Sequence, residues 1–287
     1  NQSRPFVLYD IGQNDNLSRY GYSSLHIFSV AWRPHTSPKE IYMFKQTFNA
    51  KKSEYKSKLI KAAVLDSSCQ IMEESVVKDG LSDGNVCFNP DGQILAVLVP
   101  YQIWYSMNSG NTFRQVEIEP PIEFQPALVW KNKRKFCFSS SEAIYEVTVE
   151  SDSTESRKIK EHPGKYVRLH GAADGELIYS VNEVLYRGNE QIYTVNANES
   201  EFRVFLNSDY IIIENPTRLD LPSSLILLDM QGNVLSQVKA GPEYDLVGIL
   251  PNGNEAIMLK SGISLERWKL KGKLKKRDLI HVSNLPS

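Results

Sequence analysis

The sequence has almost no helical periodicity, no long apolar run, no excess charge of either sign and only three cysteines among its 287 residues. Each absence excludes something. No apolar run approaches the roughly 20 residues a helix needs to cross a bilayer, so no transmembrane segment is expected and the chain reads as soluble. Near Asn1 there is no charged start followed by an apolar middle, the mark of an export signal. Because position 1 is not Met, a secreted or periplasmic chain that has lost such a signal stays open, and the compartment is otherwise unknown. A formal net charge of -1 and a pI near 6.6 argue against nucleic acid as the partner. The cysteines, Cys69, Cys87 and Cys137, are odd in number and widely spaced, with no C-x-x-C pair and no His cluster, which argues against a zinc site. Cys87 in NVCFN and Cys137 in KFCFS lie in apolar runs and are expected to be free and buried, with a Cys87 to Cys137 disulfide as the lesser alternative. The five histidines, His26, His35, His162, His170 and His281, stand singly, and no H-E-x-x-H, P-loop, dinucleotide fingerprint or nucleophile elbow is present. No catalytic residue, metal site or cofactor is therefore expected.

What is present is a repeat. Similar apolar runs open at NVCFNPDGQILAVLV, ALVWKNKRKFCFSSS, YVRLHGAADGELIYSV, FRVFLNSDYIIIE and YDLVGILPNGNEAIMLK, spaced by roughly 40 residues, a period that signals a repeat architecture. Each reads as strand, tight turn, strand. The turns PDG, ADG, NSD and PNG carry hairpin chemistry, and KNKR, from Lys131 to Arg134, is the weakest. Two more strands follow each pair, as in IWYSM with FRQVEIE or AIYEVTVE with ESRKIKE. A less regular unit, LHIFSVAWR to CQIMEESVV, precedes them. Four antiparallel strands per repeat is the pattern of a β-propeller blade. The expected fold is all-β, one propeller domain over 1–287 with about six blades at 22–80, 84–120, 125–162, 165–197, 200–240 and 243–283. Residues 1–21, with the strand FVLYDIG, are left as a closure strand or part of a seventh blade.

Two stretches carry a family resemblance. FNPDGQILAV, Phe88 to Val97, resembles the first hairpin of WD40-like and TolB-like blades, without the terminal Trp-Asp pair of WD40 repeats. SMNSGNTF resembles the Asp-box (BNR) turn of sialidase-like and sortilin-like propellers, S-x-D-x-G-x-T-W. Ser106, Gly110 and Thr112 match that pattern, Asn108 stands where Asp is usual, and Phe113 replaces Trp. In those families the turn joins the third and fourth strands of a blade, away from the catalytic pocket, so the resemblance implies a structural turn and not hydrolysis. A sialidase-like enzyme would also carry an Arg-x-Pro motif; AWRPHTS has Arg33 and Pro34 adjacent, which turns the guanidinium to another angle on a strand. That Arg reads as a strand-end residue before a Pro turn. Glu117, Glu119, Glu123, Glu142 and Glu146 read as solvated edges, although paired carboxylates would be needed for glycoside hydrolysis.

Two lysine-rich runs, 49–58 and 269–277, fall in connections that open on opposite faces of a blade, so they make no continuous basic track. Tight turns are expected where first strands pass to second and third to fourth. The remaining connections are longer and bulkier, and loops on a rigid scaffold carry function. The expected binding residues lie there: Tyr101, Glu123, Phe124, Lys51, Lys52, Tyr55, Arg218 and Tyr244. The expected function is non-catalytic recognition of a protein or glycan, with a sialidase-like or other glycoside-processing enzyme as the alternative.

Overall fold

A computed structural model of the chain describes residues 22–37, 39–49, 54–64, 71–79, 85–99, 102–118, 128–151, 153–195, 202–215, 224–239, 244–249, 255–260, 264–269 and 275–280. These form 24 strands in six four-stranded sheets, and among the described residues there is no helix. The first sheet holds Tyr22–Trp32 (β1), Lys39–Asn49 (β2), Glu54–Val64 (β3) and Ile71–Asp79 (β4). The second holds Asn85–Phe88 (β5), Leu95–Val99 (β6), Gln102–Ser106 (β7) and Arg114–Gln115 (β8). The third holds Leu128–Trp130 (β9), Lys135–Ser140 (β10), Ala143–Val149 (β11) and Thr154–Glu161 (β12). Val167–Ala173 (β13), Glu176–Val181 (β14), Val184–Arg187 (β15) and Glu190–Thr194 (β16) form the fourth. Arg203–Leu206 (β17), Tyr210–Asn215 (β18), Ser224–Asp229 (β19) and Val234–Lys239 (β20) form the fifth. The sixth holds Tyr244–Ile249 (β21), Glu255–Lys260 (β22), Ser264–Lys269 (β23) and Lys275–Ile280 (β24). Strand order follows chain order in every sheet. The described residues up to Leu169 form one compact unit and those from His170 onward a second.

The most buried middle strands are largely apolar because both of their faces are covered. Along β6, Leu95, Val97 and Val99 join one apolar cluster with Tyr42, Leu59 and Val86, while Leu98, with Ile94 just before the strand, joins another with Phe136, Phe138 and Tyr145. Along β18, Ile211 and Ile213 enter the cluster with Leu185 and Phe202, and Ile212 enters the one with Leu246 and Met258. Period-two alternation thus distributes one run between two layers. The fourth strands are more exposed: β12 and β20 show mixed, largely solvated patterns.

Those outer strands are edges, and each is blunted. In the pairing of β11 with β12, Ile144 opposes Lys160 and Tyr145 opposes Lys158, so Ile159 is an inserted residue. Equivalent one-residue insertions place Val77 on β4, Ile192 on β16, Leu235 on β20 and Arg277 on β24 out of register. In the remaining sheet, β8 is only 2 residues long. Bulges twist an edge and spoil it as a template for another strand, and extreme shortness has the same effect.

Candidate functional site

At one end of each sheet, the first strand turns into the second and the third into the fourth. Several of these turns are closed by Asn or Asp side chains that accept backbone N–H groups, the local chemistry for which these residues are favoured. Asn89 Oδ1 accepts from Gln93 and Ile94, both at 2.9 Å. Asn132 Oδ1 accepts from Arg134 and Lys135, both at 2.9 Å, which is how KNKR turns without Gly or Pro. Asn207 does the same for Asp209 and Tyr210, and Asp229 for Gln231 and Asn233. Burial opposes ionisation of Asp229, but the hydrogen bonds from Asn233, Gln231 and Gly232 outweigh it and hold this carboxyl below its ordinary value.

The turn from Ser106 to Phe113 belongs to this end. Gly110 N–H donates to Ser106 Oγ at 2.7 Å, and Ser106 Oγ donates to Asn108 Oδ1 at 2.8 Å. Thr112 N–H donates to Asn108 Oδ1 at 2.9 Å. Ser109 and Gly110 both take positive φ, 55° and 98°, so glycine suits the second of them. Phe113 packs against the cluster of Tyr42, Leu95 and Val97. Tyr42 in turn donates its hydroxyl to Ser109 O at 2.8 Å, and burial, followed by the charge of Glu40, pushes its pKa up to about 12. Arg33 donates from Nε to Gly92 O at 2.9 Å and from a terminal nitrogen to Glu40 Oε2 at 2.8 Å. A Cβ on Gly92 would stand 2.7 Å from Pro34 O, so Arg33 and Pro34 clasp the PDG turn. The Arg-Pro pair that faintly matches an enzyme motif is a clamp between the first two sheets.

The other end is where second strands pass to third and fourth strands pass onward. Lys51, Lys52, Tyr101, Glu123, Phe124 and Arg218 lie outside the described residues, as do Cys69, the PNG turn and the strand FVLYDIG. Tyr55 sits near the start of β3 opposite Phe48, and Tyr244 begins β21 opposite Lys260. Not every connection here is long: β10 to β11 turns over Ser141 and Glu142, and β14 to β15 over Asn182 and Glu183. The described loop of this class runs from His162 to Tyr166. Lys165 N–H donates to His162 O at 3.1 Å across Pro163 and Gly164, and Gly164 has φ of 72°, the type II pattern. His162 N–H bonds Glu142 O at 2.8 Å and Val167 N–H bonds Ser141 O at 2.7 Å, so the loop is stitched over the neighbouring turn. Tyr166 is 58% exposed at its tip. Desolvation, then Lys160 and Lys165, lower the pKa of His162, so this ring is neutral near pH 7.

Glu146 is the residue that sequence reading placed wrongly, as a solvated edge. Its side chain is 3% exposed and it lies under three cations. Arg157 reaches Oε1 at 2.7 Å, Lys135 the same oxygen at 3.4 Å, and Lys131 reaches Oε2 at 3.3 Å. Burial alone would raise its pKa, but Arg157 and Lys131 by hydrogen bonding, with Lys135 by charge, outweigh it and leave the carboxyl below 4.5. A second buried carboxylate, Glu214, holds Arg203 at 2.6 Å and accepts Leu246 N–H at 3.0 Å. In the third sheet Ser139, on β10, accepts Leu169 N–H at 3.3 Å. Both latches sit at the fifth residue of a second strand, a position no local motif marks. Cys87 and Cys137 are free, and burial pushes both thiols up to about 12. Among the described residues no three His, Cys, Asp or Glu groups are placed to hold a metal ion. No described helix is long and apolar enough to cross a membrane.

No protein-family model matches the chain, and no curated protein matches it. Solved structures do. The RRP9 WD40 repeats align with a TM-score of 0.60 at 11% identity, over 90% of this chain and 81% of that one. The Dos1 propeller aligns at 0.58 and 10% identity, over 91% and 73%. Virginiamycin B lyase from Staphylococcus aureus aligns at 0.50 and 8%, over 90% and 89%. At such identities the likeness is one of fold. Together with six antiparallel four-stranded sheets in chain order, it gives this chain an all-β propeller fold.

Proposed function

We propose that this chain is a non-catalytic recognition or scaffold module, one propeller domain long, that holds a protein partner at the ends of its sheets where second strands pass to third and fourth strands pass onward. The observation that carries this reading is the difference between the two ends. At the Asx-turn end, Arg33, Tyr42, Ser106, Asn108 and Asp229 all spend their polar groups on the fold. At the other end a stitched type II turn holds Tyr166 out at 58% exposure, with Lys165 exposed beside it. Tyr is enriched at protein interfaces because it combines a rigid apolar body with a polar tip. The recognition residues are taken to be Tyr101, Glu123, Phe124, Lys51, Lys52 and Arg218 in connections of this class, with Tyr55 near the start of β3 and Tyr244 at the start of β21. The hydrogen bonds within Ser106 to Thr112 support reading that turn as a degenerate Asp-box, with Asn108 in place of Asp. The solved neighbours include WD40 repeats, which fits a binding role.

The test compares Tyr166→Ala and Tyr101→Ala with the wild-type chain as bait against proteins of its native source and against a glycan array. Partners held by the wild type and lost from both variants are the expected result. Retention of one glycan class alone would replace the protein partner by a glycan. Turnover of fluorogenic glycosides, abolished by one carboxylate substitution, would overturn the non-catalytic reading.

A further inference from the structure

Five cations gather at one end of the third sheet. Lys131, Lys133 and Arg134 lie in the turn between β9 and β10, Lys135 opens β10, and Arg157 stands on β12. The backbone that carries them is fixed. Asn132 caps the turn, the Lys133 carbonyl accepts Asn89 Nδ2 at 2.8 Å, and the Arg134 carbonyl accepts Val149 N–H at 2.8 Å. Three of the side chains are positioned as well, because Lys131, Lys135 and Arg157 converge on the buried carboxylate of Glu146. That carboxylate neutralises only one of the three, and their side chains remain 34%, 36% and 63% exposed. Among the described residues, Lys133, 74% exposed, has Asp91 as its acidic neighbour at 3.9 Å, and the exposed Arg134 side chain has no ion-pair partner.

We propose that this end of the sheet is a second docking surface, one that takes an acidic segment of a partner protein through its Asp and Glu side chains. Cations already held in place lose little freedom when a carboxylate arrives, which is the usual cost of an ion pair on a surface. The favoured chemistry is discrete carboxylates and not a polyphosphate backbone. Glu150, in the turn between β11 and β12, and Glu155, on β12, are exposed and would repel a continuous line of phosphates, while a peptide can place its acids between them. This surface lies at the Asx-turn end, away from Tyr166, so its failure and the failure of the Tyr166 reading are separable.

The experiment is fluorescence anisotropy of labelled hexaglutamate with the full chain at about 20 mM salt, where surface charge is weakly screened. Saturable binding is expected, and Lys133→Ala with Arg134→Ala should weaken it about tenfold, two lost pairs at a few-fold each. Asp91→Asn removes a competing charge while keeping the oxygen that caps Gln93, and should tighten binding about two- to fivefold. Lys51→Ala with Lys52→Ala, and Tyr166→Ala, should change nothing. The proposal is overturned if hexaglutamate does not bind, or if Lys133→Ala with Arg134→Ala leaves its affinity unchanged. It is also overturned if labelled oligothymidylate competes for the same side chains and binds more tightly.

Discussion

The second and third sheets share one apolar cluster, in which Ile94, Leu98 and Ile103 meet Phe136, Phe138 and Tyr145, yet they are secured by different chemistry. The second sheet is fastened by its turns: Asn89 and Asn108 close them, and the outer strand β8 is only 2 residues long. The third keeps an 8-residue outer strand and ties it inward with an ion cluster on Glu146. The same architecture therefore tolerates two solutions, one local in sequence and neutral, the other assembled across strands and charged. The first should resist changes of pH, and the second should not.

Breaking the charged solution should produce the largest effect. Glu146→Gln leaves three cations converging without their counter-charge, and about 3 kcal/mol of stability should be lost in urea unfolding. The folded pKa of Glu146 is lowered from 4.5, so its contribution is present above that value and is lost as pH falls through the folded pKa. Wild-type stability should accordingly decline below about pH 4.5, and the acid limb should be shallower in Glu146→Gln. Glu40, lowered by Lys61 and Arg33 against its own burial, and Asp229 add to the same limb with the same sign.

The neutral solution can be loosened by degrees. Phe113→Ala should cost about 2 kcal/mol, less than a core aromatic, because the ring is only partly buried against its cluster. The same local chemistry also closes the first turn of the third sheet, where Asn132→Ala uncaps two backbone donors and should cost about 1 kcal/mol, measured by the urea midpoint at constant slope. The smallest effect expected is none at all. With their pKa values pushed up to about 12, Cys87 and Cys137 stay protonated and should resist iodoacetamide in the native protein, as peptide mass spectrometry would show.

Most of the strands could be found from sequence because their signals are local. In FNPDGQILAV the side chain that closes the turn, the glycine that bends it and the strands it joins are neighbours, and β5 and β6 fall there. KNKR looked weakest because it lacks Gly and Pro, but Asn132 does their work. The run FRQVEIE promised a longer fourth strand than β8. Pairing continues only through Val116, whose N–H reaches Ile103 O at 2.8 Å, and the Glu117 carbonyl then accepts Ser156 Oγ of the next sheet instead. What could not be found depends on register. Glu146 is buried because Arg157 and Lys135, each 11 residues away, arrive from the two adjoining strands. Ile159, Ile192 and Leu235 read as ordinary strand residues, and only the pairing shows them to be bulges. Of the eight residues expected to bind, six lie outside the described residues, and Tyr55 and Tyr244 fall on β3 and β21.

The most direct test of the contrast between the two ends needs no partner. Urea unfolding of Asn108→Ala and Tyr166→Ala, followed side by side, reads which end the fold depends on. Asn108→Ala should lower the midpoint by the equivalent of about 1 kcal/mol with the slope unchanged, since Thr112 N–H and Ser106 Oγ lose their acceptor. Tyr166→Ala should stay within about 0.5 kcal/mol of the wild type, as a substitution at an exposed tip does. An Asn108→Ala protein that unfolds like the wild type, beside a Tyr166→Ala protein that is destabilised, would contradict the account.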